Sequence, residues 1–254
     1  MLKIYGYIIS CLLLITSLPL PGQINKKEVQ PDSVVIPLKI RAGIELTGPV
    51  MYFTDKDKLS FEGHFSGDLN EKTGFYAAAG FSDFRYSQYN YDYLNKGIYF
   101  KAGLDINLLK PEMAMGKYWA GLGFRYGISR FSQEIPVLKH ENYWGIASSS
   151  VAPLKSWGHF LEVAPGFRAE IIDNISIGWS VCVRKLIYTG TGRDLRPVYF
   201  PGYGQGGKSF STGINYFLIW NFTFKKIKVE IKEDPPEEPE EEDGETEATF
   251  SGNR

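Results

Sequence analysis

The readily titrating or metal-binding side chains of this 254-residue chain are few: three histidines and two cysteines. His64 stands two residues before Ser66 and is flanked by Glu62 and Asp68. A base beside a hydroxyl is the minimum that nucleophilic acyl transfer requires. The four residues share one parity, however, so in a strand they form a single polar face, and the bland reading is a polar pair on that face. His159, next to Ser156 and Trp157, reads as an interface residue. Scattered histidines and a lone Cys182 after residue 22 do not meet the spacing of a zinc site, so neither metal nor cofactor is expected. The glycines of PGYGQGGK (Gly202, Gly204, Gly206, Gly207) imitate a phosphate loop but lack the helix that must follow one. No catalytic residue is assigned, and the expectation is a protein that is not an enzyme.

The elements that must position such residues follow from composition. Apolar residues make up 43%, aromatics 15%, and glycine is frequent at 27 residues. This is not a disordered chain, a helical membrane bundle or a disulfide scaffold, and its net charge of −1 excludes a strongly basic nucleic-acid binder. The two ends differ from the middle. Residues 1–22 (MLKIYGYIISCLLLITSLPLPG) have a positive start, an apolar stretch and a small residue at a cleavage position, the pattern of a secretory signal peptide. A short segment, 23–37, separates it from the strand-like region. From 228 to 254 the chain holds 3 Lys/Arg against 11 Asp/Glu, a net of −8, with several prolines. Residues 227–254 are therefore expected to be a disordered acidic tail, either a solvated end or a strip for a basic periplasmic partner.

Between the ends, eight stretches alternate with period two: 38–47, 59–69, 74–89, 97–109, 117–133, 157–171, 175–188 and 209–224. No convincing amphipathic helix interrupts them. The third stretch is ambiguous in register, with a bulge expected near Gly80. One face is apolar, as in Leu38, Ile40, Ala42 and Ile44, or Ile98, Phe100, Ala102 and Leu104. The other mixes glycine with charges of both signs: Arg41, Glu45, Glu62, Lys101, Asp105, Arg125, Glu162, Arg168, Glu170 and Arg184.

Alternation does not say which face is inside. Strands of ~10 or more residues suit a tilted membrane crossing. Small residues with opposite charges suit a narrow packed lumen in which each charge finds a partner. Aromatics near strand ends suit interfacial girdles. The fold class expected is all-β, a closed antiparallel eight-stranded transmembrane barrel over 38–226. Short turns alternate with longer connections, so an even strand number puts both termini on the short-turn, periplasmic side.

The last stretch, with Gly213, Tyr216, Leu218, Trp220, Phe222 and a terminal Phe224, is similar to the closing strand of outer-membrane barrels. That resemblance implies recognition by the barrel-assembly machinery, during insertion or as a stable partner. The whole of 38–224 resembles the small eight-stranded outer-membrane barrels, OmpA/OmpX-like in the broad sense, and the uncharacterised domain-of-unknown-function barrels with the same layout. His64-Phe65-Ser66 also resembles the His-x-Ser spacing of the outer-membrane lipid A deacylases, although the residues around it do not follow that family.

Two connections carry candidate binding residues: Arg193, Arg196, Tyr199, Phe200 and Tyr203 after the seventh stretch, and Tyr143 with Trp144 in 134–156. Arginine and aromatics on a loop suit contact with lipopolysaccharide phosphates or a neighbouring protein; the alternative is a lid over the mouth. The function these readings imply is a scaffold or accessory subunit of a bacterial outer-membrane assembly, bathed in outer-membrane lipid. The alternatives are a lipid-modifying enzyme on the same barrel and a soluble lipocalin-like carrier.

Overall fold

A computed structural model of the chain describes residues 33–143, 145–190 and 196–230. The expected signal peptide and residues 231–254 of the acidic tail lie outside them. The long strands are β1 (Ser33–Glu45), β2 (Lys58–Asp68), β3 (Thr73–Ser87), β4 (Tyr91–Asn107), β5 (Tyr118–Asn142), β6 (Gly145–Ile172) and β7 (Ile175–Thr189). A two-residue ribbon follows, β8 (Tyr199–Phe200) with β9 (Gly204–Gln205), and then β10 (Phe210–Glu230). Each long strand pairs antiparallel with its neighbour in the chain, and β10 closes on β1 to complete an eight-membered ring. Two short helices sit in connections: α1 (Thr47–Thr54) and α2 (Pro111–Ala114).

The direction of the faces is decided. Phe65, Phe81, Ile98, Phe100, Leu104 and Phe124 are exposed on the outer surface. Glu62, Lys101, Asp105, Arg125 and Glu162 are buried within the ring. An apolar outside around a charged inside is the arrangement that lipid demands, and over the levels where all eight strands pair the ring leaves no strand edge open to hydrocarbon. The barrel is therefore a transmembrane one, and the soluble-carrier reading falls, since such a carrier needs an apolar interior.

The turns on the side of the termini have local causes. In the β2–β3 turn, the Asn70 side-chain oxygen accepts from the backbone N–H groups of Lys72 (2.9 Å) and Thr73 (2.7 Å), an Asx turn. Between β6 and β7, Asn174 takes the left-handed conformation at φ 68, which asparagine tolerates better than most residues. After α2, Gly116 has φ 65, and a Cβ there would sit 2.4 Å from Pro37 Cδ, so only glycine fits.

Several boundaries differ from the alternation reading. The third strand keeps an unbroken register on both sides, with no bulge near Gly80. The bulge lies between Leu38 and Lys39, where Phe224 is the extra residue of β10. It puts both Leu38 and Lys39 in buried positions, so Leu38 does not face lipid. Phe224 is not terminal either, because β10 continues to Glu230 against β1 from Ser33. The stretch 134–156 is not a loop. β5 and β6 run on as a hairpin to Asn142 and Gly145, with register irregularities around Pro136 that accommodate the proline. The connection after β3 likewise shrinks to 88–90.

Candidate functional site

The interior is built in layers from inward-facing positions. Glu162 on β6 lies at the centre of the charged layer. Its carboxylate meets Arg184 Nε at 2.6 Å, Arg125 Nη1 at 2.9 Å and Lys101 Nζ at 3.5 Å. Lys101 also meets Glu62 at 2.7 Å, and Glu62 accepts from the hydroxyls of Tyr99 (2.9 Å) and Tyr76 (3.2 Å). Arg125 stacks over the Tyr76 ring at 3.6 Å and reaches Asp105 at 3.5 Å, which Arg168 approaches at 3.6 Å. Toward the termini, Arg41 and Asp68 form a two-pronged pair at 2.6 and 2.7 Å, and Lys39 pairs with Glu170.

Nine of the ten charges expected on this face thus form ion pairs, some between neighbouring strands, as Arg125–Glu162 and Arg184–Glu162, and others across the lumen, as Lys39–Glu170. Glu45 does something else: its two oxygens accept from the backbone N–H groups of Thr47 (2.8 Å) and Gly48 (2.9 Å) and so start α1. Lys39, Asp68, Tyr76 and Tyr99 belong to the same network. Their parity alone could have shown them, since they share the polar face of their strands.

Gaps between the layers are small. One of about 50 Å³ adjoins Arg41, Asp68 and Arg168, and another of about 30 Å³ adjoins His64 and Arg125. Spaces of that size hold a few waters and not a stream of solute.

The loop-side end is closed by aromatics. Phe200 and Tyr203, from the β8–β9 ribbon, are 0% exposed and stack at 4.7 Å; Phe200 also packs on Phe131 at 5.4 Å and Phe160 at 6.1 Å. Tyr199 stacks on Phe84 at 4.5 Å. Of the loop residues expected to bind a ligand, Phe200 and Tyr203 are therefore corrected: burying them gains more than exposing them, and they form a plug. Arg196 is exposed at the mouth, and Tyr143 is 93% exposed at the β5–β6 hairpin tip. Arg193 and Trp144 lie outside the described residues.

His64 and Ser66 both face the lumen and are buried. His64 packs on Tyr76 (5.5 Å) and edge-on to Phe217 (5.0 Å), and neither His64 Nδ1 nor Ser66 Oγ makes a hydrogen bond. The pair is not assembled as a base and nucleophile, and it faces away from lipid. Gly43 supplies the room, since a Cβ there would sit 2.3 Å from the imidazole. His159 faces outward and bonds Tyr126 at 2.9 Å.

The closing-strand residues Tyr216, Trp220, Phe222 and Phe224 are exposed on the outer face, Leu218 is half-buried in the same row, and Gly213 points inward near Arg184.

A membrane-crossing ring of eight strands, filled by its own side chains, is the setting for the comparisons. Residues 4–227 match the family described as Domain of unknown function (DUF6048). The chain belongs to this family. Among curated proteins none matches. Solved structures do. Ail, the attachment invasion locus protein of Yersinia pestis, aligns at 10% identity over 74% of this chain and 99% of that one, with a TM-score of 0.35. CarO2 of Acinetobacter baumannii aligns at 13% identity over 75% and 99%, TM-score 0.36. Neisserial surface protein A aligns at 10% identity over 76% and 98%, TM-score 0.30. The assignment of this member of the DUF6048 family to transmembrane barrels rests on its own strand ring and surface.

Proposed function

We propose that this protein is a bacterial outer-membrane barrel that works by contact, as a scaffold or accessory subunit of an outer-membrane assembly, and not as a channel or an enzyme. The observation that carries the reading is the closed interior: an ion-paired layer below an aromatic plug. A barrel filled in this way offers its surfaces and not its lumen. The surfaces on offer are the outer apolar belt and the β5–β6 hairpin, which rises beyond the neighbouring strands. The termini share the side of the β2–β3 and β6–β7 turns, opposite the extended β5–β6 hairpin, which supports a periplasmic location for both. The acidic residues 231–254 would then meet a basic periplasmic partner. The closing-strand aromatics and surrounding lipid, including lipopolysaccharide, are the contacts expected during insertion by the barrel-assembly machinery.

The experiment has two arms. The first is single-channel recording in planar bilayers, where no stable conductance is expected; steady ohmic steps would end the reading. The second is gentle detergent purification of a tagged chain, with and without the hairpin tip 139–148. A stoichiometric outer-membrane partner is expected with the tip and not without it. The same preparation with and without 231–254 tests the tail: identical partner sets would remove its docking role.

A further inference from the structure

The ring is incomplete at its loop-side end. Pairing of β1 with β10 stops at Glu45 opposite Phe217, and pairing of β1 with β2 covers only Ile40–Ile44 against Gly63–Gly67. Above that level β10 pairs in the ladder with β7 alone, helped by the Thr47 hydroxyl, which accepts from the Tyr216 N–H (3.1 Å) and donates to the Ile214 carbonyl (3.4 Å), and residues 58–62 of β2 pair only with β3. The Leu46 N–H still bonds the Tyr216 carbonyl at 2.8 Å; α1 then leaves β10 and crosses to β2, where Gly48 lies against the Ser60 carbonyl. A helix cannot continue the strand ladder, so the wall has a gap between two strand edges.

A cleft of about 1030 Å³ lies at this gap. Its lining comes from both faces of the wall. Arg184 and Ser211 point into the barrel, whereas Phe210, 56% exposed, and Thr212 point out. The cleft therefore runs from the interior to the membrane side. Four cations from three parts of the chain converge on it: Lys58, Arg184, Arg196 and Lys208. Among the described residues no carboxylate lines it. Arg184 is held from below by Glu162 and by the Tyr203 carbonyl at 3.5 Å, and Lys58 is tied to Asp55 at 2.9 Å. Arg196 and Lys208, on the loop, complete the positive rim. Beside the cations lie Met51, Phe84, Tyr86 and Phe210.

We infer that this cleft is a laterally open site for an anionic amphiphile. A phosphate head would sit among Arg184, Arg196 and Lys208, and an acyl chain would leave across the gap past Met51 and Phe210 into the bilayer. Multiple cations with arginine among them suit a phosphate, which accepts bidentate bonds. The volume is that of a drug-sized ligand and far exceeds a bare phosphate, and the apolar side opens toward lipid. This site goes beyond the scaffold reading and does not depend on it.

The test uses the full chain in phosphatidylcholine nanodiscs, with a fluorescent short-chain phosphatidic acid as probe and a phosphatidylcholine of the same tails as control. Saturable binding of the phosphatidic acid at one per chain is expected, with the control not binding. Arg196→Glu with Lys208→Glu should weaken it by roughly tenfold or more, two charge contacts being reversed. Thr212→Trp, which fills the outer end of the gap, should block it as well. Retention of the heat-modifiable folded band shows that the variants are intact. Inorganic phosphate as competitor separates the two sources of the head group. Competition only at far higher concentration than the lipid supports the amphiphile site. Saturable binding of phosphate without binding of the lipid, or lipid binding unchanged in both variants, overturns the inference.

Discussion

Glu162 is the point on which the lumen charges converge. Three cations share its carboxylate; if it were removed, Lys101 would keep Glu62 and Arg125 would keep Asp105, but Arg184 would lose its carboxylate partner in a buried position. Breaking one partner out of a buried ion network costs about 3–5 kcal/mol. Glu162→Gln is expected to lower unfolding stability by that order, read by urea titration in detergent micelles with heat-modifiability on gels. A change near zero would mean that Arg125, Arg184 and Lys101 find other partners. Replacing a whole pair is a different matter. Glu62→Leu with Lys101→Met removes the 2.7 Å pair together with its desolvation cost, and should lie closer to the parent than either single change. The residue scale also fixes the outer face. Phe100 sits mid-strand on β4, half exposed to the lipid side, and Phe100→Arg should cost about 2–4 kcal/mol, against about 0–1 for Leu108→Arg near the end of the span. Equal costs for the two would contradict the position of the apolar belt.

At the scale of elements, the β8–β9 ribbon and the β5–β6 hairpin have opposite roles. The ribbon is a plug: Phe200 and Tyr203 fill space between Phe131 and Phe160, and Gly127 and Gly158 leave room for the rings. Phe200→Ala should destabilise by about 3–5 kcal/mol, the range for large aromatic truncations in a core. Conductance should stay absent, since the ion-paired layer beneath remains. Current in this variant would show that the plug alone closes the barrel. Above the level of Leu138, where β4 stops pairing with β5, the hairpin keeps a backbone bond from the Lys139 N–H to the Asn90 carbonyl at 2.7 Å and adds no further rung to the β4–β5 ladder. Replacing 139–148 by a two-residue turn should leave the urea midpoint of the barrel unchanged while removing the exposed tip at Tyr143. A large drop would mean that the hairpin supports the wall. Both elements show the limit of periodicity. The stretch 134–156 reads as a long connection, yet register slips beside Pro136 let the ladder continue past it. In 189–208, glycines and prolines read as an exposed loop, yet the aromatic side chains draw the segment inside.

At the scale of the whole molecule, the barrel exchanges polarity with a soluble protein. Its outer belt is apolar, and its centre is a self-neutralising set of charges: Lys39, Arg41, Lys101, Arg125, Arg168 and Arg184 face Glu45, Glu62, Asp68, Asp105, Glu162 and Glu170. A lumen so balanced has no net field to drive one ion sign through it. Planar-bilayer recordings of the folded chain are accordingly expected to be silent at either polarity. The breach in the wall where β1 stops and α1 crosses is where the inferred amphiphile site would offer chemistry to the surroundings.

What the sequence determined by itself was parity. A strand side chain points to one face or the other according to odd or even position, a rule that needs no partner strand. Alternation in β2, β4 and β7 therefore already sorted His64, Lys101 and Arg184 from Phe65, Phe100 and Val183. Everything set by closure had to await the folded ring. That Arg125 and Arg184 stand opposite Glu162 depends on the register of β5, β6 and β7, and that Lys101 reaches it from β4 depends on the curvature of the ring. Where β1 ends, where Phe224 bulges and whether Phe200 is buried depend on neighbours that exist only once the ring has formed. Local sterics write the faces; the geometry of the closed sheet assigns the partners.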